Sequence, residues 1–226
     1  MLIDFEDRYN IFTDASTTGV TEDSICYATA SKFYVIKGRD VDHPVSSDTA
    51  VLTFSTSPFA ELFAIFMGVK EAAKIASVVP GAKFNLFSDN IMGVNAVRRF
   101  SKGKSDAEIR SALVQNNWDK FQYNKLKQQI VKVINDNNLD IKLYHQSGHL
   151  NTNGFDGIFA CLSKFPVNND GATIDYDIAT VLCICNNVVD KGSRFKLKQY
   201  VEQEVKIPPV WVDNSNNSPL ITVAKA

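Results

Sequence analysis

The chain has 226 residues, 45% of them hydrophobic, a formal net charge of −1 and four cysteines. This apolar fraction is enough for an ordinary globular core, and no apolar run approaches the roughly 18 residues of a membrane-spanning helix. The near-neutral charge excludes a broad basic surface of the kind that binds nucleic acid by electrostatics alone, so any such contact must be local.

The first eight residues carry acids where a signal peptide would carry bases, and the cysteines show no zinc-like spacing with histidines. We therefore expect a cytoplasmic protein with free thiols and no membrane contact.

Strands are predicted first, over residues 9–14, 24–30, 32–37 and 50–55, with short connections that indicate an antiparallel meander. The first strand ends in Asp14 and is followed by small polar residues. A carboxylate on a central strand is costly to bury unless a cation or a metal ion pairs with it. The position of Asp14 therefore raises the question of which other acids share that ion.

A helix follows, with Ser57 as the predicted N-cap and Pro58 at the first helical position. Glu61 falls in or near the first turn, beside Leu62 of the apolar face. It is either a surface acid favoured by the helix dipole or a side chain that points inward.

The next strand, over residues 83–89, presents Asp89 at its carboxyl end, where open α/β sheets gather ligand sites. The alternative for Asp89 is the N-cap of the following helix. The most basic cluster of the chain, residues 98–104, is either a solvated helix end or a phosphate contact. Residues 106–138 are predicted to be helical in two pieces.

A strand over residues 139–144 runs into a loop that contains His149. A histidine that leaves a strand beside a carboxylate cluster is a candidate for proton transfer, and His145 is its rival. Residues 180–185 form a buried strand or the start of a buried helix; on a strand, Cys183 and Cys185 would share one face.

Asp190 lies in a last helix that is predicted to begin near residue 187. We predict one domain over residues 1–207, with an insertion at about 150–185 and an extended or disordered tail over 208–226.

Four acids from four distant segments, each at a strand end or a helix start, suit a paired magnesium site (Asp14, Glu61, Asp89 and Asp190). Magnesium prefers oxygen ligands and keeps several waters, so a few carboxylates and a substrate phosphate complete its shell. Two such ions activate a water and stabilise the leaving oxygen of a phosphoryl displacement.

The same segments resemble the motifs of ribonuclease H of type 1, over roughly residues 8–194. The segment that ends in Asp14 resembles the first motif, and Glu61 before an apolar helix is similar to the second. Asp89 after a serine resembles the third motif, the loop with His149 resembles the one that carries the family's flexible histidine, and residues 186–190 are similar to the final motif.

This resemblance implies a ribonuclease H-like α/β fold. It consists of a central mixed five-stranded sheet, an antiparallel meander of the first three strands followed by parallel strands, with flanking helices and an insertion before the last helix.

The resemblance also implies an endonuclease that hydrolyses the RNA strand of RNA–DNA hybrids with two Mg²⁺ ions, for which Mn²⁺ substitutes. Asp14 would bridge both ions, and Glu61 and Asp89 would hold one, with Glu61 near the ribose 2′-hydroxyl. Asp190 would hold the ion on the nucleophile side, and His149 would assist proton transfer or product release.

Two features depart from the family pattern. Gly19 is the only glycine left in the hairpin after the first motif. The insertion before Asp190 is long, so Asp156, Asp170 or Asp175 competes for the fourth position. Two other interpretations stay open: a different nuclease of the superfamily, such as a junction resolvase or a DNA nuclease, and a catalytically silent binding module.

Overall fold

The computed structural model describes residues 1–20, 26–100, 118–148 and 155–204. These ranges contain five strands and five helices, which are β1 Tyr9–Val20, β2 Cys26–Lys37, β3 Ser46–Ser55, α1 Ser57–Val78, β4 Lys83–Ser88, α2 Ile91–Phe100, α3 Trp118–Asp136, β5 Asp140–His145, α4 Phe155–Asn168 and α5 Tyr176–Glu204. His149, the first part of the predicted 106–138 helical region, most of the basic cluster and the predicted tail lie outside the described residues.

The strands form one sheet in the order β3-β2-β1-β4-β5. The first three strands pair antiparallel, and β4 and β5 run parallel to β1. The predicted mixed five-stranded sheet with an antiparallel meander is therefore confirmed. One detail was wrong, because the two strands predicted over 24–30 and 32–37 are the single strand β2.

The first strand is longer than predicted, since β1 does not end at Asp14 but continues to Val20. Its pairing with β2 runs from Tyr9↔Lys37 to Val20↔Cys26. Its pairing with β4 stops at Thr13↔Ser88. Asp14 is thus the first residue of β1 beyond the parallel partner strand, so its backbone is held on one side while the other side opens into a cleft.

One face of the sheet packs against α1 in a hydrophobic core that includes Ile11, Ile65 and Leu86. Gly68 makes this close packing possible. A Cβ atom at Gly68 would lie 2.9 Å from Ile11 Cγ2 and 3.1 Å from Thr13 Cγ2. The helix therefore rests directly on the strand that carries Asp14.

The other face packs against α4 and α5 around stacked aromatic rings, with 5.2 Å between the ring centroids of Phe12 and Phe87. Residues 180–185 belong to α5, so of the two alternatives for this segment the helix is confirmed and the strand is wrong; the last helix begins earlier than residue 187. Cys183 and Cys185 do not share a strand face: both are buried free thiols on a helix enclosed by the sheet and α4. Most side chains of this segment are buried, Ile184 excepted, and this gives the helix an apolar run like that of a buried strand.

No helix in the described part of the chain combines the length and apolar character that a membrane crossing requires.

The close contact at Gly68 generates a first prediction. We expect Gly68→Ala to lower the free energy of unfolding by about 1–3 kcal/mol, because the added methyl group overpacks the contact with β1. Urea denaturation measures the change. Lys70→Ala, at an exposed position of the same helix, should leave the midpoint nearly unchanged. A Gly68→Ala protein as stable as the wild type would show that helix propensity outweighs the contact.

Candidate active site

Asp14 is buried, with 8% of its surface exposed, at the point where β1 and β4 part. The Ala15 backbone N–H donates a hydrogen bond of 2.7 Å to Asp14 Oδ1. No cation within the described residues is recorded within ion-pair distance of this carboxylate. The carboxyl group is therefore oriented by the backbone, with no basic side chain of the described residues to neutralise it.

Asp89 follows the neighbouring parallel strand, so the carboxyl ends of β1 and β4 bring it to the same edge as Asp14. The N-terminus of α2 is capped by Asn90, whose Oδ1 accepts a hydrogen bond of 2.8 Å from the Gly93 N–H. The alternative of Asp89 as the N-cap is therefore wrong. The chain after β5 passes close to Asp89, since a Cβ atom at Gly148 would lie 2.7 Å from Asp89 Oδ2.

Glu61 reaches the site from α1. The N-cap of this helix is Thr56, whose hydroxyl accepts from the Phe59 N–H at 3.4 Å. The predicted N-cap Ser57 is instead the first helical residue, and Glu61 therefore lies in the second turn. The Ser57 hydroxyl donates to Glu61 Oε1 at 3.2 Å and fixes the carboxylate at the open end of the helix.

Asp190 is carried by the middle of α5 and forms an ion pair of 2.8 Å with Arg194 one turn further on. The hydroxyls of Ser16 on β1 and Ser193 on α5 lie 2.6 Å apart and tie the helix to the strand that carries Asp14.

Gly192 of α5 allows a second close contact with the sheet. A Cβ atom there would lie 2.5 Å from Cε of Lys32, the β2 residue directly opposite Asp14. The Lys32 ammonium group donates to the Thr49 hydroxyl at 3.4 Å.

A single cleft of about 790 Å³ is lined by all four predicted acids, Asp14, Glu61, Asp89 and Asp190. Neither Asp156, Asp170 nor Asp175 is among its lining residues. Asp175 instead caps α5, where its Oδ1 accepts from the Ile178 N–H at 2.7 Å. Among the rivals for the fourth position, the structure therefore places Asp190 with the other three acids.

The acids act on one another electrostatically. Burial, then the charge of Asp89, and with smaller effects the charges of Asp190 and Glu61, raise the pKa of Asp14 from 3.8 to about 8, against the lowering effect of the Ala15 hydrogen bond. Burial and the charge of Asp89 likewise raise the pKa of Glu61. Like charges in a partly desolvated cleft favour protonation unless a cation enters.

The donor set fits a hard divalent cation, because every candidate ligand is a carboxylate oxygen and no described basic residue pairs with Asp14. Within the described residues, no three histidine, cysteine, aspartate or glutamate side chains are close enough together to hold a metal ion as they stand. The four carboxylates line one cleft, and a cation bound there would draw them closer or take its remaining ligands from water and phosphate.

The two candidate histidines differ in what the structure shows of them. His149 lies outside the described residues. His145 ends β5, where its Nε2 lies 3.1 Å from the Asp89 carbonyl oxygen and therefore donates to it. Its backbone N–H donates to Asn169 Oδ1 at 2.8 Å, and burial lowers the pKa of its imidazole. His145 thus holds the backbone of Asp89 and does not line the cleft.

Tyr123 on α3 is a neighbour of the site that the sequence did not indicate. Burial and the charge of Glu61 raise the pKa of its hydroxyl to about 12. The hydroxyl group therefore stays protonated beside the Glu61 carboxylate. A tyrosine on an amphipathic helix carries no sequence signal that separates it from a core residue.

The raised pKa of Asp14 generates a second prediction. An acid whose pKa is raised on folding destabilises the folded state progressively as pH rises from its ordinary value, here 3.8, to its folded value of about 8. In EDTA, Asp14→Asn should therefore melt above the wild type at pH 9, and the difference should vanish near pH 4. Since one pKa unit corresponds to about 1.4 kcal/mol, we expect several degrees, measured by circular dichroism.

The same substitution at the exposed Asp170 serves as the control and should leave the shape of the pH profile unchanged. An Asp14→Asn protein no more stable than the wild type at pH 9 would contradict this account of the cleft.

Comparisons with known proteins give matches by structure alone, since no protein-family model and no curated sequence matches the chain. The protease–reverse transcriptase of prototype foamy virus superimposes with a TM-score of 0.51 at 15% identity, over 84% of this chain and 22% of that one. This chain thus spans less than a quarter of the length of that viral protein.

Two smaller solved structures match with lower scores. The ribonuclease H domain of the same virus has a TM-score of 0.46 at 15% identity and covers 74% of this chain and 98% of its own. Ribonuclease H1 of Halobacterium salinarum has a TM-score of 0.40 at 15% identity, over 62% of this chain and 86% of its own. Identities this low bear on the fold alone. With its strand order and its mixed sheet, the chain has a ribonuclease H-like fold.

Proposed function

We propose that the protein is a metal-dependent endonuclease that hydrolyses the RNA strand of RNA–DNA hybrids. The observation that carries this proposal is the buried Asp14 carboxylate, which shares one cleft with three more acids and has no basic partner among the described residues. Such a group is costly to a merely structural domain, because like charges oppose one another in a desolvated site.

The carboxylates are the residues that would hold two Mg²⁺ ions, or Mn²⁺ in their place. Asp14 would bind both ions, Glu61 and Asp89 would bind one, and Asp190 would bind the other. When bound, the ions supply a water activated for attack on phosphorus and stabilise the leaving oxygen. The cleft has the volume to hold a phosphate beside them.

The protein's own groups orient these ligands. The Ala15 N–H fixes one oxygen of Asp14, and the Ser57 hydroxyl fixes one oxygen of Glu61. Arg194 holds Asp190 by an ion pair that an incoming cation weakens by competition. These contacts set the direction of the Asp14, Glu61 and Asp190 carboxylates before a cation arrives, which limits the reorganisation that binding requires.

The choice of RNA over DNA is assigned to Glu61. Its carboxylate lies near the N-terminal end of α1, where it accepts a hydrogen bond from the Ser57 hydroxyl, and burial and its charge raise the pKa of the protonated Tyr123 hydroxyl. An acceptor oxygen in this position recognises a ribose 2′-hydroxyl, which is a hydrogen-bond donor that deoxyribose lacks. His149 is proposed to transfer protons or to assist product release.

Cleavage of an end-labelled RNA–DNA hybrid in Mg²⁺ tests the proposal, beside double-stranded RNA, double-stranded DNA and branched DNA. We expect cleavage of only the RNA strand of the hybrid, with 3′-hydroxyl and 5′-phosphate ends. Asp14→Asn should reduce cleavage at least about a hundredfold, because it removes the charge between the ions while the fold persists. Asp170→Asn, outside the cleft, should cleave like the wild type.

Full activity of the Asp14→Asn protein would end the proposal. Cleavage of branched or duplex DNA instead of the hybrid would assign the cleft to a resolvase or a DNA nuclease.

Metal binding is testable without any cleavage. Saturating Mg²⁺ at neutral pH should raise the melting temperature of the wild type. At a Mg²⁺ concentration of a hundred times the dissociation constant, the free energy of unfolding should increase by about 2.7 kcal/mol. The increase should be much smaller for Asp14→Asn, whereas Asp170→Asn should respond fully. No metal-dependent stabilisation, together with no cleavage, would favour a silent binding module.

A further inference from the structure

Two aromatic side chains are exposed at the end of the sheet that extends past the cleft. Tyr27 on β2 is 42% exposed, and Phe54 on β3 is 73% exposed. Their ring centroids lie 5.7 Å apart with an interplanar angle of 77°. An edge-to-face pair of this kind leaves a ring face open to solvent, so the two residues form a small aromatic platform.

The backbone at Phe54 is unusual. Its φ angle is +51°, in the left-handed region that bulky residues rarely adopt. A glycine or an asparagine would satisfy the same backbone with less strain. Phe54 also gains little from burial, because most of its surface is exposed. Neither the local turn nor the core explains a phenylalanine here, and such outliers concentrate at functional sites.

The platform is continuous with the cleft. Tyr27 lies against Gly19 of β1, where a Cβ atom would be 3.6 Å from Tyr27 Cβ. Thr17 and Thr18, which precede Gly19, line the cleft. On the other side, Ser57 lines the cleft only three residues after Phe54. The two rings thus lie next to residues that border the cleft, within reach of a nucleic-acid strand that runs from the cleft towards β3.

We propose that the Tyr27–Phe54 platform stacks against an unpaired base that flanks the hybrid in the cleft. Inside a duplex, both faces of each base are covered by neighbouring bases, so only an unpaired base offers a face to an aromatic ring. The preferred substrate is thus a hybrid that continues into a single strand. This inference rests on the proposed function of the cleft and adds a substrate class to it.

Binding of two hybrids to the Asp14→Asn protein tests the inference, because it needs no cleavage. One hybrid is blunt, and the other carries a short single-stranded flank, placed at each end in turn. From the strength of base–aromatic stacking, we expect a flank at one end to tighten binding by about fivefold or more. Adding Phe54→Ala should abolish this gain while binding of the blunt hybrid changes by less than about twofold.

Phe54→Asn separates stacking from folding. Asparagine tolerates the left-handed backbone, so this variant should melt at or above the temperature of its parent and still lose the flank effect. Phe159→Ala removes another exposed phenylalanine, 59% exposed on α4, and should keep the flank effect.

Tight binding of the blunt hybrid with no gain from a flank at either end would overturn the inference and leave the proposed function intact. A gain that persists in Phe54→Ala would also overturn it. Binding of neither hybrid to the Asp14→Asn protein, together with no cleavage by the wild type, would overturn both.

Discussion

The fold must hold the Asp14 carboxylate in a desolvated position among like charges, which is unfavourable in free energy. Burial and three neighbouring acids all oppose its ionisation and raise its pKa to about 8. A domain tolerates such a group only if the rest of the fold is rigid enough to hold the acids together without a counter-ion. The sheet and its two covering helical layers supply that rigidity.

The sheet and the helices on its two faces each position an acid through a different contact. The parallel pairing of β1 and β4 ends just before Asp14, which opens a gap at the sheet edge. The contact of Gly68 with Ile11 and Thr13 brings α1 close enough for Glu61 to face that gap. The hydroxyl pair of Ser16 and Ser193 fixes α5 and, with it, Asp190. Backbone contacts and neutral hydrogen bonds thus bring the four acids together, although the acids themselves repel one another.

Part of this arrangement was predictable from the sequence, since local patterns indicated an antiparallel meander and acids at strand ends, and the resemblance to ribonuclease H implied the mixed five-stranded sheet. The errors have physical causes. Residues 180–185 resembled a buried strand because α5 is enclosed by the sheet and α4. Asp14 resembled a strand end because small polar residues follow it, yet cross-strand pairing with β2 continues the strand. The position of Tyr123 beside Glu61 depends on how α3 packs, which no local pattern contains.

The Lys32 side chain has a consequence for how precisely the cleft can be assembled. Its aliphatic stem fills the space between β2 and Gly192 of α5, and its ammonium group is directed to Thr49 on β3. The separation of the helix from the sheet beside Asp14 is therefore set by the thickness of a hydrocarbon chain. The hydrocarbon part of this spacer carries no charge, so the contact that it makes beside the acids does not itself titrate as they do.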